Sequence, residues 1–242
     1  MAISFPTSLD NFTNPSSGNT LDSPSHSLQH SDVNDAVEAI EAKLGVGASP
    51  AGSATAGQVL TISAAGTSTW STPNADGLTL IKTTTIGTTV SSVNVDDVFS
   101  DSYLTYLVSI TINGASTVSA LRCRMRVSGS DNTSSNYRYT GEERYSGVDT
   151  EAVQRENPGT SWRVGTYGQE GTFCEIRIDR PFATTYTRYR AFSTIADETN
   201  SRTISTYHGG SLTVTTSYTG LTIFPDVGSI NGGSITVYGI RR

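Results

Sequence analysis

Hydrophobic and polar residues alternate along much of the chain from Leu78 onward. In residues 121–127, Leu, Cys, Met and Val occupy every second position, and three arginines lie between them. Residues 174–179 repeat the pattern, with Cys and two Ile alternating with Glu, Arg and Asp. A period of two sends successive side chains to opposite faces of a β-strand. Each segment is therefore predicted to be a strand with one buried face.

Segments of this kind recur between turn residues to the end of the sequence, which is typical of a β-sandwich. The predicted strands are 78–86, 89–99, 103–113, 119–128, 136–145, 161–167, 171–180, 188–196, 202–208, 212–224 and 233–241. We therefore expect a mainly β protein with a jelly-roll-like β-sandwich head over residues 78–242.

One segment has a helical period instead. Val33, Val37, Ile40 and Leu44 follow the four-three-four spacing of a coiled-coil seam. Ser31 is a suitable N-cap, so a stem helix is predicted over residues 31–45. About two heptads are too few for a stable isolated helix, so this helix is expected to self-associate. The alternative is a helix that lies on the β head.

The segments on either side of this helix have no sustained period. Residues 1–30 are rich in Pro, Ser, Thr and Asn, which predicts an extended arm. Its isolated apolar residues are expected to dock on another protein: Ile3, Phe5, Leu9, Phe12 and Leu21. Residues 46–77 are predicted to be a Gly/Ser/Thr-rich linker that contains a short strand pair around Trp70.

Charge is distributed unevenly between the two ends of the chain. The 242 residues carry a net charge of −6, and residues 1–77 hold seven acidic residues against the single Lys43. The rest of the chain is balanced, with 15 acidic and 15 basic residues. Such a distribution gives no basic surface for nucleic acid. With neither a signal peptide nor a long apolar run, the chain is expected to be made in the cytoplasm without inserting into a membrane.

Motifs for catalysis or cofactor binding are not found in this sequence. It has no Gly-x-Ser-x-Gly elbow, phosphate loop or His-Glu-x-x-His motif, so we expect no enzymatic activity, metal or cofactor. His26 and His30 could meet as metal ligands on a symmetry axis, but packing is the favoured explanation. Cys123 and Cys174 are expected to be reduced core thiols, with a disulfide as the alternative.

Two groups of side chains in the head suggest specific contacts. Arg122, Arg124 and Arg126 share a strand face and are expected to pair with carboxylates, either Glu175 and Asp179 or acids of a neighbouring subunit. Aromatic and Arg residues gather between residues 130 and 170, where a loop-rich receptor surface is predicted. Its expected contacts are Tyr139, Tyr145 and Trp162. An equally weighted alternative places these aromatics in the core.

The helix and its flanks resemble a known protein family. Residues 26–46, HSLQHSDVNDAVEAIEAKLGV, resemble a segment near the N-terminus of tailed-bacteriophage tail-fibre and minor tail proteins. Residues 57–61, GQVLT, with the following Trp70 are similar to a linker found in such fibres. Residues 233–239, GSITVYG, are similar to the last strand of many fibre heads. The resemblance covers about the first 70 residues and the last ten.

This resemblance implies a non-enzymatic, homotrimeric virion protein. The arm would join other virion proteins, and the head would project outward. A tail appendage that attaches to a host-surface glycan or protein is the first function implied. A capsid-surface head fibre or decoration protein is the second. A tailspike depolymerase is disfavoured because the sequence lacks the repeats of a long β-helix.

Overall fold

The computed structural model describes residues 16–22, 25–44, 54–62, 68–73, 77–148 and 151–240. The chain divides into two compact units, Met1–Asn74 and Ala75–Arg242. The first unit contains the helix and a small hairpin. The second unit is the head.

The described part of the N-terminal unit contains one helix and one antiparallel strand pair. Helix α1 spans His26–Leu44, and strands β1 (Val59–Ile62) and β2 (Ser68–Ser71) pair with Leu60 opposite Trp70. The Trp70 indole N–H donates to the Lys43 carbonyl over 3.0 Å. This bond satisfies one of the carbonyls that a helix end leaves without an internal partner. The strand pair predicted around Trp70 is therefore confirmed.

The predicted start of the helix at Ser31 is wrong. The helix begins at His26, five residues before Ser31. The Gln29 N–H donates to the Ser25 carbonyl in its first turn. Residues 26–30 contain Leu and Gln, which are good helix formers, and no Pro or Gly interrupts them. Ser31 consequently lies inside the helix and does not cap it.

The head is mainly β, with antiparallel strands joined by turns. Its strands are β3 (Leu78–Thr85), β4 (Val93–Val95), β5 (Thr105–Ala115), β6 (Ser119–Val127), β7 (Ser130–Asp131), β8 (Tyr137–Tyr145), β9 (Glu151–Gly159), β10 (Trp162–Tyr167), β11 (Thr172–Asp179), β12 (Thr187–Asp197), β13 (Arg202–Leu212), β14 (Gly220–Pro225) and β15 (Ile230–Ile240). A short 3₁₀ helix, Glu198–Asn200, joins β12 to β13.

These strands form two sheets. The smaller sheet has the order β10-β6-β14-β4, with β7 paired to β6. The larger sheet has the order β3-β15-β5-β11-β12-β13-β8-β9. All pairings are antiparallel, and the architecture is compatible with a β-sandwich.

Both sheets contribute one face to a shared hydrophobic core. The small sheet supplies Leu121 and Met125, and the large sheet supplies Ile176, as the alternation predicted. Cys123 and Cys174 are both buried and are not bonded to each other, which agrees with the expected core thiols. Burial raises the pKa of each thiol, because the thiolate would lose its hydration.

Strand β9 lies between the predicted strands 136–145 and 161–167 and is not among the predicted strands. Its sequence, EAVQRENPG, is mostly polar and contains Pro158. β9 pairs only with β8 and forms an edge of the large sheet. Edge strands tolerate Pro and need less apolar surface than central strands, so the alternation that reveals the other strands is weak here.

Candidate functional site

The predicted coiled-coil seam lies on the surface of the chain. Val33, Val37, Ile40 and Leu44 are each between 45% and 51% exposed. The least exposed side of the helix carries other residues. Ala36 and Ala39 are partly buried there, and Asp32 is buried. The chain therefore carries an apolar helix stripe that its own described residues leave half exposed.

Most of the predicted virion-docking residues, namely Ile3, Phe5, Leu9 and Phe12, lie outside the described residues. Leu21 is described and is strongly exposed. His26 and His30 are exposed on successive turns of α1, with their Nε2 atoms 3.1 Å apart. Within the described ranges, no group of three His, Cys, Asp or Glu side chains could hold a metal ion.

The predicted receptor contacts of Tyr139 and Trp162 are wrong. Trp162 is fully buried, and Tyr139 is only 8% exposed. The Trp162 ring stacks on Tyr189 with centroids 4.5 Å apart, and its indole N–H donates to the Ser211 carbonyl. Tyr145 is partly buried, and its hydroxyl donates to Glu143. These rings face inward because Tyr139 and Tyr145 occupy the inward positions of β8, and Trp162 occupies an inward position of β10.

The predicted pairing of the β6 arginines with carboxylates is confirmed, but the predicted partners are wrong. Arg122 lies 3.1 Å from Glu156 and 3.4 Å from Asp226. Arg126 contacts Asp96 and Asp131 and is itself buried. Glu175 and Asp179 belong to the large sheet, which does not pair with β6.

A buried polar cluster surrounds His208 inside the sandwich. Glu143 accepts hydrogen bonds from Arg163, Thr166 and Tyr145. His208 lies on the neighbouring strand, and neither of its ring nitrogens has a hydrogen-bond partner among the described residues. Burial is the main cause that lowers the pKa of His208 to about 4. A neutral imidazole at this position suits packing rather than acid–base chemistry near neutral pH.

The outer face of the large sheet contains a groove of about 790 Å³. It runs across β11, β12, β13 and β8. Phe192 lies opposite Tyr207 in the strand register, and their ring centroids are 5.0 Å apart. Arg177 lies opposite Arg190 on the same face. We call this site the outer groove.

Sequence reasoning did not identify the outer groove, although a signal was present. In β12 and β13 the inward positions are filled by buried residues such as Ala191 and Ile204. Phe192 and Tyr207 occupy the alternate, outward positions, where polar residues are expected. Large aromatic rings on the polar face of two adjacent strands indicate a contact surface.

No described helix is long and apolar enough to cross a membrane. Comparison with known proteins found no matching family model, curated protein or solved structure.

Proposed function

We propose that this chain is a non-enzymatic structural protein of a tailed-bacteriophage virion, assembled as a homotrimer. An extended N-terminal arm would dock on other virion proteins, a coiled-coil stem would join three chains, and a jelly-roll-like head would project outward. The favoured role is a tail fibre or tail appendage that attaches to the host surface. A capsid-surface head fibre or decoration protein is the second candidate.

The exposed stripe on α1 is the observation that carries this proposal. Burying a Val, Ile or Leu side chain contributes about 1.5–3 kcal/mol relative to full exposure. Val33, Val37, Ile40 and Leu44 are already about half covered, so association would add roughly 1 kcal/mol for each, or about 4 kcal/mol per chain. Water-exposed stripes of this spacing are the surfaces through which helices form coiled coils.

The assignment of three chains and of a virion location depends on the family resemblance. Val and Ile at the seam, with Leu at its end, do not determine how many helices associate. The resemblance over residues 26–46 supports a trimer with the arm toward the particle. A tailspike depolymerase has less support, because the sequence has neither β-helix repeats nor a recognisable catalytic motif.

Substitutions in the seam test the oligomeric stem. Val37→Asp with Ile40→Asp would place charges in the seam, where their desolvation opposes association. Asn34→Asp with Ala42→Asp is the matched control, since it also places two new Asp residues on exposed positions of α1. In analytical ultracentrifugation we expect a trimer for the wild type and the control, and a monomer for the seam variant. A monomeric wild type would refute the proposal.

The virion location is tested by a cryo-electron-microscopy map of purified particles together with their protein composition. Density at the tail supports the first candidate, and density on the capsid supports the second. A chain that is expressed during infection but absent from purified particles would overturn the proposed function.

A further inference from the structure

The centre of the outer groove is open because position 209 is a glycine that packing does not require. A Cβ added at Gly209 would meet only the Tyr189 carbonyl, at an ordinary contact distance of 3.5 Å. The neighbouring glycines differ: a Cβ at Gly210 would lie 2.0 Å from the Arg138 carbonyl, and one at Gly141 would lie 2.4 Å from the His208 ring. Those two glycines are explained by packing, and Gly209 is not.

A glycine inside a strand lowers stability, and it often marks a place where a ligand approaches the backbone. Gly209 lies opposite Arg190 in the register and two residues from Tyr207 on the same face of β13. The missing side chain therefore leaves a gap between an aromatic ring and a guanidinium group. This arrangement would hold a ring-shaped ligand that carries a negative charge.

The two arginines of the groove have no ion-pair partner among the described residues. Arg177 and Arg190 face each other on paired strands, where like charges oppose pairing. Among the described residues, no carboxylate lies within 4.0 Å of either guanidinium. Elsewhere in the described head, Arg122, Arg126 and Arg163 each have such a carboxylate. The outer groove thus presents two adjacent guanidinium groups without an ion pair among the described residues, and its lining also contains the carboxylates of Glu142 and Glu175.

We infer that the outer groove binds an acidic saccharide, meaning a sugar residue that bears a carboxylate group. The apolar C–H face of the sugar ring would pack on Tyr207 and Phe192 above Gly209. Arg177 and Arg190 would hold the anionic group through charge-assisted hydrogen bonds. Glu175, which lies opposite Phe192, would accept hydrogen bonds from sugar hydroxyl groups.

A second copy of the chain is the competing occupant of this face. The groove is concave, and its volume of about 790 Å³ lies within the range of small-ligand sites, whereas protein interfaces are larger and flatter. A second copy would also have to bring carboxylates to Arg177 and Arg190 in order to offset their desolvation. These features favour the saccharide.

This inference names a partner class for the proposed attachment role, but its test uses only the purified full chain. The probes are oligogalacturonate, hyaluronan oligosaccharides and sialyl-lactose on a glycan array. Each is paired with its neutral counterpart: carboxyl-reduced oligogalacturonate, chitin oligosaccharide and lactose. We expect at least one acidic probe to bind about tenfold more tightly than its counterpart. If no acidic probe exceeds its counterpart, the inference is wrong.

Substitutions then locate the binding site. Gly209→Leu should fill the groove and abolish binding, while Ser205→Leu should retain it, because Ser205 is on the same face of β13 but outside the groove lining. Arg177→Gln with Arg190→Gln should remove the preference for acidic over neutral probes. Binding that survives Gly209→Leu would overturn the inference. So would a Gly209→Leu protein that loses its oligomeric state, since a second copy would then cover the groove.

The two proposals fail separately. If the protein forms trimers and joins particles but binds no acidic probe, the groove inference is wrong and the proposed virion role is still supported. If the protein binds an acidic probe but is absent from particles, the proposed virion role is wrong and the groove inference is still supported.

Discussion

Acid should destabilise the head through His208. This side chain is 4% exposed and lies between Gly141 on β8 and Ala191 on β12. Protonation would place a positive charge inside the sandwich, and neither ring nitrogen has a partner among the described residues to accept the added hydrogen bond. The charges of Arg163 and Arg122 oppose protonation further, and Glu143 is the group that favours it.

The size and pH range of the effect follow from the pKa of His208, which is about 4 in the folded head against an ordinary value of 6.5. Because the folded state binds the proton more weakly, the unfolded chain takes it up first as pH falls. Stability from the neutral imidazole is therefore complete above about pH 6.5 and is lost between about pH 6.5 and 4. At about 1.4 kcal/mol per pKa unit, the loss is about 3 kcal/mol.

Urea unfolding between pH 7.5 and 4 measures this loss, with Trp162 fluorescence as the reporter of the head. A Trp70→Phe background removes the other tryptophan of the chain. His208→Leu cannot be protonated, so its free energy of unfolding should rise relative to the parent protein by about 3 kcal/mol from pH 7.5 to 4. His30→Gln is the control, because His30 is exposed on helix α1. Its free energy of unfolding should change with pH as that of the parent protein does. Parallel loss of stability in the parent and His208→Leu would refute the reasoning.

Two further predictions concern the arm and the aromatic residues. Deleting residues 1–25 should leave an oligomeric protein with a folded head that no longer joins particles, as measured by the protein composition of purified virions; normal copy number would place the docking surface elsewhere. Trp162→Ala should destabilise the head by about 3–5 kcal/mol because it empties a core position, whereas Tyr207→Ala should change the free energy of unfolding by no more than about 0.5 kcal/mol. Thermal and urea unfolding compare the two, and equal losses would contradict the assigned burial of these rings.

Much of the head could be predicted from sequence, because the period of a strand is set by backbone geometry rather than by its neighbours. Leu121 and Met125 are buried as the alternation of β6 requires. The same rule places Arg126 on the opposite face, but it does not show that Asp96, Asp131 and the β7 turn bury it. Those contacts come from segments whose positions are determined by the tertiary fold.

The aromatic residues show why the binding surface could not be predicted in the same way. Tyr and Trp favour strands whether they face the core or solvent, so clustering in sequence does not indicate which way a ring points. The group from Tyr137 to Trp162 faces inward because β8 and β10 supply the core at one end of the sandwich. Phe192 and Tyr207 are adjacent only because β12 and β13 pair in one particular register, and a shift of β13 by one residue would turn the Tyr207 ring into the core. The outer groove is therefore a consequence of strand pairing, and its residues can be recognised in the sequence only after the inward positions of both strands have been assigned.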